Sequence, residues 1–264
     1  MIYFSTLLNQ PKYRADAERL FDALTANGEA YSLIENTQDI WMRDFMPIKT
    51  RKVRYISFSY EPSYLVEHED LQTEYRDIAS QFDFDVTYSN INLDGGNVVF
   101  SSSKEKALIS NRIYLENPEY EEDELKDELS KLLEAEVVII EALKSDMTGH
   151  ADGMVRFVSE DTVLINKTNW KKGLEQRQKI YLEAEGFKVI EFPYHDSHRG
   201  KDATGSYLNY LETPRHIFLP IFDVPEDEIA LSTARKVFSK EVITVKITEI
   251  PKMGGVFNCI SWED

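Results

Sequence analysis

A unit of slightly more than 50 residues recurs five times along the 264-residue chain, and this repetition constrains the fold more than any other feature. Each copy reads as an apolar strand, an amphipathic helix, a second strand and then a polar motif. The first has a strand over 2–8 and a helix after Pro11 that carries Tyr13, Ala17, Leu20 and Leu24. Asn27-Gly28 ends that helix, as a helix C-terminus prefers. A strand over 30–34 then leads to Trp41-Met42-Arg43-Asp44. The second copy has a strand over 55–60, a helical stripe of Leu71, Tyr75, Ile78 and Phe82, a strand over 84–87, and the polar stretch 92–97. The third runs through 107–110, a helix with Leu125, Leu129 and Leu132, and 137–140, arriving at Gly149-His150-Ala151-Asp152-Gly153. The fourth has 162–166, a helix bearing Trp170, Leu174 and Tyr181, then 187–192 and Gly205-Ser206-Tyr207-Leu208-Asn209. The fifth has 216–222, a helix opened by Asp223 and Pro225 with Ala230, Ala234 and Val237, then 242–247, and finishes at Gly254-Gly255-Val256-Phe257-Asn258-Cys259.

One residue from each motif marks the period: Asp44, Asp94, His150, Ser206 and Cys259, at intervals of 50, 56, 56 and 53 residues. Alternating strands and helices predict an α/β protein. A polar motif after every second strand predicts a ring whose motifs meet near its axis. The competing arrangement is an open α/β sheet with its motifs in loops. No linker divides the chain, so residues 1–264 are expected to form a single domain.

Charge and cysteine count narrow the function. The formal net charge is −17 with no dense Lys/Arg cluster, which argues against nucleic acid and favours small cationic partners. The acidic run 119–128 reads as a solvated helix face. No apolar run approaches the ~18–20 residues needed to span a bilayer, and the first ten residues do not read as a signal peptide. The lone Cys259 forbids an internal disulfide and fits a reducing, cytoplasmic setting. The residues leave a homo-oligomer open.

Cys259 stands behind two glycines, in a motif position rather than a core position. A single Cys with a His and acids elsewhere is a nucleophile pattern, although a lone Cys is commonly an inert small hydrophobe. His150 and Asp152, two apart on an extended segment, would face one ligand together; a hydrogen-bonded polar turn is the alternative. Together with Asp94 they could also supply three metal ligands. Trp41, Arg43 and Asp44 could place an aromatic face and a carboxylate around a planar cation, or form a buried Trp and an ion pair. Asn209 is a polar contact or a structural amide. His195, Asp196 and His198 are read as a polar loop rather than a metal cluster, and His68 and His216 have no chemical context.

In this order, the five motifs resemble those of the guanidine-modifying, or pentein, superfamily. The similarity is greatest to agmatine deiminases and Porphyromonas-type peptidylarginine deiminases. That branch carries a Trp-x-Arg-Asp element, an acid before Gly-Gly, Gly-His-x-Asp, Ser-Tyr-x-Asn and a C-terminal Gly-Gly…Cys; all five are present between Trp41 and Cys259. The resemblance implies a five-bladed pseudo-symmetric α/β propeller and hydrolysis of a guanidinium substrate without cofactor or metal, with agmatine as the leading candidate. Arginine or peptidylarginine hydrolysis, amidino transfer, metal-dependent hydrolysis and mere guanidine binding are the other readings. By resemblance Cys259 is the nucleophile, His150 the acid/base, and Asp44 and Asp152 the guanidinium clamps. Asp94 orients His150, Asn209 adds a polar contact, and Trp41 and Arg43 line or support the substrate site. The chain departs from the branch in lacking a tryptophan-bearing N-terminal extension, in Met46 where a glycine often precedes the proline, and in Asn258 where a His often precedes the cysteine.

Overall fold

The computed structural model describes residues 1–167, 173–197 and 201–264. Its strands form five three-stranded sheets, one for each sequence repeat. The first repeat supplies β1 (Ile2–Ser5), α1 (Arg14–Ala26) and β2 (Tyr31–Ile34), and its polar motif becomes the short helix α2 (Met42–Phe45). The second sheet contains β3 (Ile48–Lys49), β4 (Tyr55–Ser59) and β5 (Val86–Asn92), with α3 (Tyr75–Ala79) between the last two. The third contains β6 (Val98–Phe100), β7 (Lys106–Ser110) and β8 (Glu136–Ile140), with α4 (Arg112–Glu116) and α5 (Glu122–Leu133). The fourth has β9 (Val155–Phe157), β10 (Thr162–Lys167), α6 (Leu174–Ala184) and β11 (Lys188–Pro193). The fifth has β12 (Leu211–Glu212), β13 (His216–Ile221), α7 (Glu226–Val237) and β14 (Glu241–Lys246). The remaining strand, β15 (Ser261–Glu263), returns to the first sheet.

Every sheet has the same topology. A short strand pairs antiparallel with the middle strand, and the middle strand pairs parallel with the one beyond the helix. The parallel pair requires a crossover, which the helix provides. In the first sheet the antiparallel partner of β1 is β15, in the register Ile2↔Glu263, so the two ends of the chain share one sheet. Each polar motif lies in the connection from one sheet to the next. Apolar seams join the sheets in succession. Ile34 and Trp262 pack with Tyr55 and Ile78, Ile56 and Ile91 with Ile109 and Leu129, and Val99 and Val138 with Val163 and Leu182. The largest seam joins Leu164 and Phe192 to Phe218 and Val245, and these to Phe4 and Leu20.

Several local expectations are corrected. The strand expected over 2–8 stops at Ser5, whose hydroxyl accepts from the Leu7 amide at 3.0 Å and turns the chain into a 3-10 helix, Thr6–Asn9. The second repeat's helix is only five residues long. Leu71 lies in a separate 3-10 turn, and Phe82 packs on Phe84 and Trp262. Side-chain bonds from Gln72 to the Tyr60 carbonyl (2.7 Å) and from the Gln38 amide to Thr73 (3.0 Å) hold this segment out of a helix. In α5 the buried stripe is Leu125, Leu129 and Leu133 rather than Leu132. In α6 Leu182 is buried and Tyr181 exposed, because Gln178, one turn earlier, points inward to the Glu141 carbonyl. Trp170 lies outside the described residues. The acidic run that opens α5 is solvated as expected; its Glu122, Asp123 and Glu124 occupy the first turn, where they complement the helix dipole.

Candidate active site

Four of the five motifs converge on a cavity of about 540 Å³ whose lining includes Trp41, Asp44, His150, Asp152, Asn209 and Cys259, and the second motif backs it through Asp94. Its geometry begins with glycines. A Cβ on Gly96 would lie 2.6 Å from Asp44 Oδ1 and 2.7 Å from His150 Nδ1. A Cβ on Gly255 would lie 2.6 Å from the Trp41 ring and 3.0 Å from Cys259 Sγ. Only a bare Cα allows these side chains to approach so closely.

On one side, imidazole meets carboxylates. His150 Nε2 is 2.7 Å from Asp94 Oδ2, and its Nδ1 is 3.6 Å from Asp44 Oδ1. The Gly96 amide donates to Asp44 Oδ1 at 3.1 Å. Tyr64 donates its hydroxyl to the same Asp94 oxygen at 2.8 Å. Burial works against a charge on His150, but Asp44, the bond from Asp94 and the field of Asp152 prevail and raise its pKa to about 10. The surrounding carboxyl groups thus favour the imidazolium form. Asp44 is pushed the unfavourable way, first by burial and then by Asp94 and Asp152, against the pull of His150. His150 has extended backbone, whereas Asp152 lies in the 3-10 turn Ala151–Gly153. The expected extended pair is thus a turn, yet both side chains face the cavity.

On the other side, amides surround the sulfur. Asn209 Nδ2 lies 3.1 Å from both Asp152 Oδ2 and Cys259 Sγ. Its Oδ1 accepts from the Val256 and Cys259 amides at 3.0 and 3.2 Å. Asn258 donates to Asp152 Oδ2 at 2.6 Å and accepts from Arg156 at 2.7 Å. Cys259 Sγ is 3.5 Å from Asp152 Oδ2. Burial, then Asp152 and Asp44, push the thiol pKa well above its ordinary value. A cation entering between the acids would reverse the last two effects.

The structure therefore brings together Trp41, Asp44, His150, Asp152, Asn209 and Cys259 at the cavity, with Asp94 behind His150. Arg43 points elsewhere: it bonds the Asn258 carbonyl at 3.3 Å and Glu263 at 2.5 Å, bracing the turn that carries Cys259. His195 pairs with Glu226 at 2.9 Å and His216 with Glu29 at 2.7 Å; His198 lies outside the described residues. Among the described residues no three His, Cys, Asp or Glu are arranged to hold a metal ion. Sequence reasoning missed Tyr64, Arg156 and the role of Asn258. The available signal for Tyr64 was a second tyrosine four residues after Tyr60, beside Pro62.

The fold and the family are shared with known proteins. A provisionally named agmatine deiminase of Shewanella baltica is 27% identical over 205 residues, 65% of this chain and 54% of its own. The chain thus spans about half the length of the curated relatives it matches. Among solved structures, the agmatine deiminase of C. jejuni superposes with a TM-score of 0.79 at 18% identity, covering 99% of this chain and 92% of that one. A Cys-to-Ser variant of the C. jejuni enzyme with substrate bound superposes at 0.77 and 17% identity, covering 99% and 92%. The family model of Porphyromonas-type peptidyl-arginine deiminases matches residues 5–264, and with that match over nearly every residue the chain belongs to this family.

Proposed function

We propose that this chain is a single-domain guanidine deiminase, residues 1–264, built as a five-bladed propeller, that hydrolyses agmatine through a covalent bond to Cys259. The observation that carries the reading is the Cys259 sulfur 3.5 Å from Asp152, in one cavity with a His150 imidazole set between Asp94 and Asp44. The cyclic succession of apolar seams supports the propeller.

A guanidinium is planar, cationic and a poor electrophile. Asp44 and Asp152, both buried, would grip its N–H groups in fork geometry and fix the carbon in front of the sulfur. The incoming cation offsets the field of the two acids, so the thiol ionises as substrate arrives. The thiolate attacks the carbon. His150 gives its proton to the departing amine, ammonia leaves, and a thiouronium remains on Cys259. Water then attacks, His150 takes one of its protons, the C–S bond breaks, and the ureido product leaves with the thiolate restored while the second proton passes to the released ammonia. Asn209, within bonding distance of the sulfur, supports the anion at both stages. Trp41 offers a face to the cation, and Arg43 braces the Cys259 turn.

Agmatine is favoured by the names of the relatives and by a cavity lined with Asp39, Asp146, Asp196 and Asp202 against the cations Lys12 and Lys201. A small guanidine handled beside one free thiol suits a cytoplasmic setting. Metal-dependent hydrolysis is disfavoured because both nitrogens of His150 face carboxylates. Amidino transfer would use the same intermediate, and the products separate the two.

The test is Cys259→Ala. Turnover should vanish, the fold should persist by circular dichroism, and rapid acid quench of the native enzyme with agmatine should trap a Cys259 adduct by intact mass. Ammonia and N-carbamoylputrescine should appear together. Full activity in Cys259→Ala would sink the reading, and ammonia release without any adduct would return the metal route.

A further inference from the structure

We propose that Tyr64 is a positioning residue for the acid/base His150, acting through Asp94. The proposal rests on the deiminase reading for its function but on the geometry alone for its existence.

The two donors meet at one atom. Tyr64 Oη and His150 Nε2 approach Asp94 Oδ2 at 2.8 and 2.7 Å. The Tyr64 ring also stands edge-on to the imidazole, with centroids 6.1 Å apart at 68°, so one side chain steers both partners. Burial, followed by the nearby Asp94, pushes the Tyr64 phenol pKa well up. It therefore stays neutral and can only donate to the carboxylate.

The segment that delivers Tyr64 is the 3-10 turn Ser63–Leu65, and it is tied down on both flanks. Asn92 bonds the Glu61 amide and carbonyl at 3.0 and 2.7 Å. Glu116 takes the Ser63 amide and hydroxyl at 2.9 and 2.8 Å, and Arg112 bonds both Glu116 and Ser63 at 2.7 Å. This network joins the second repeat to the third and aims the phenol at Asp94.

The consequence is a choice of nitrogen and a tuned acid. With Nε2 engaged by Asp94, Nδ1 is the nitrogen left on the side of Asp44, where the proton is exchanged with substrate. By sharing Asp94 Oδ2, Tyr64 spreads its charge and weakens its hold on the imidazolium proton. The other groups facing His150 are Asp44 from α2, Asp152 from its own turn, and Cys259 beyond Asp152; none of them contacts Asp94 Oδ2.

The experiment titrates His150 by nitrogen NMR in the resting protein, so its outcome does not depend on which guanidine is turned over or on whether Cys259 is the nucleophile. Tyr64→Phe should raise the His150 pKa by about half a unit or more and lower kcat about tenfold with KM nearly unchanged. Replacing Tyr64 with 3-fluorotyrosine, a stronger donor of the same shape, should shift the His150 pKa downward. Opposite signs from the two replacements are the signature of the hydrogen bond. An unmoved pKa in the fluorotyrosine protein overturns the proposal, as do shifts of one sign in both proteins. Should Tyr64→Phe fail to fold, the fluorotyrosine protein decides alone. A kcat loss matched by an equal rise in KM, with the titration unchanged, would make Tyr64 a substrate contact and also overturn it.

Discussion

The two sides of the site are built from opposite materials. Around His150 stand charged groups: Asp44 and Asp94, with Tyr64 behind. Around Cys259 stand neutral amides: Asn209 and Asn258, with Arg156 behind. Asp152 is where they meet, sharing a turn with His150 and accepting from both asparagines. Imidazole chemistry needs a field that holds and releases a proton, and fixed charges provide it. Sulfur chemistry needs an anion formed only when wanted, and neutral donors can steady a thiolate without creating one in the empty site.

The sharpest way to break this contrast is at Gly96. Gly96→Ala places a methyl group within 2.6 Å of Asp44 and 2.7 Å of His150, so these two must part. Activity on agmatine should fall by at least about a hundredfold while alkylation of Cys259 by iodoacetamide is barely altered. If alkylation falls equally, the two sides are not separable. Asn209→Ala attacks the other side. It removes bonds to Asp152, Cys259 and two backbone amides, which should cost about 2–3 kcal/mol in chemical denaturation and slow adduct formation about tenfold. The His150 titration should hardly move.

Changing pH probes the His150 side directly. His150 has its pKa raised from 6.5 to about 10. The folded state therefore binds its proton more tightly than the unfolded chain. The resulting stability is fully present below pH 6.5 and is lost as pH rises through about 10. Asp94→Asn weakens the hold on that proton, so in a series of thermal melts the decline should still begin near pH 6.5 but end at lower pH and be smaller in extent. An unchanged profile would show that Asp94 does not govern the proton. The smallest effect is expected at Glu263. Its partly exposed bond to Arg43 braces the Cys259 turn from outside, and Glu263→Gln should cost under about 1 kcal/mol and less than a few-fold in kcat.

Much of this was legible from residue patterns, for physical reasons. Leu125, Leu129 and the Gly28 helix end follow periodicity and backbone preference, so they mark their elements directly. The motif residues were found because each repeat leaves its polar residues at the same point of the unit. The strand expected over 2–8 was cut short locally by the Ser5 hydroxyl, and the other misses turned on side-chain contacts that periodicity does not encode. Leu132 yields to Leu133 and Tyr181 to Leu182 because helix rotation is set by what each helix packs on. Tyr64 was missed because residues 60–74 have no period, and side-chain ties to Asn92, Glu116 and Thr73 fix their path. Asn258 was visible as a difference from relatives, but only coordinates link it to Asp152 and Arg156.

The pairing of β1 with β15 also bears on the order of assembly. Four sheets draw on strands close in sequence and can form early, whereas the sheet next to Cys259 joins residues at opposite ends of the chain and pays the largest loop-closure entropy. On this order of closure, the Cys259 sulfur meets Asn209 and Asp152 only once that last seam has formed. Partly folded chains lack the assembled set of side chains around that thiol, and the first appearance of turnover during refolding should time the completion of the native topology.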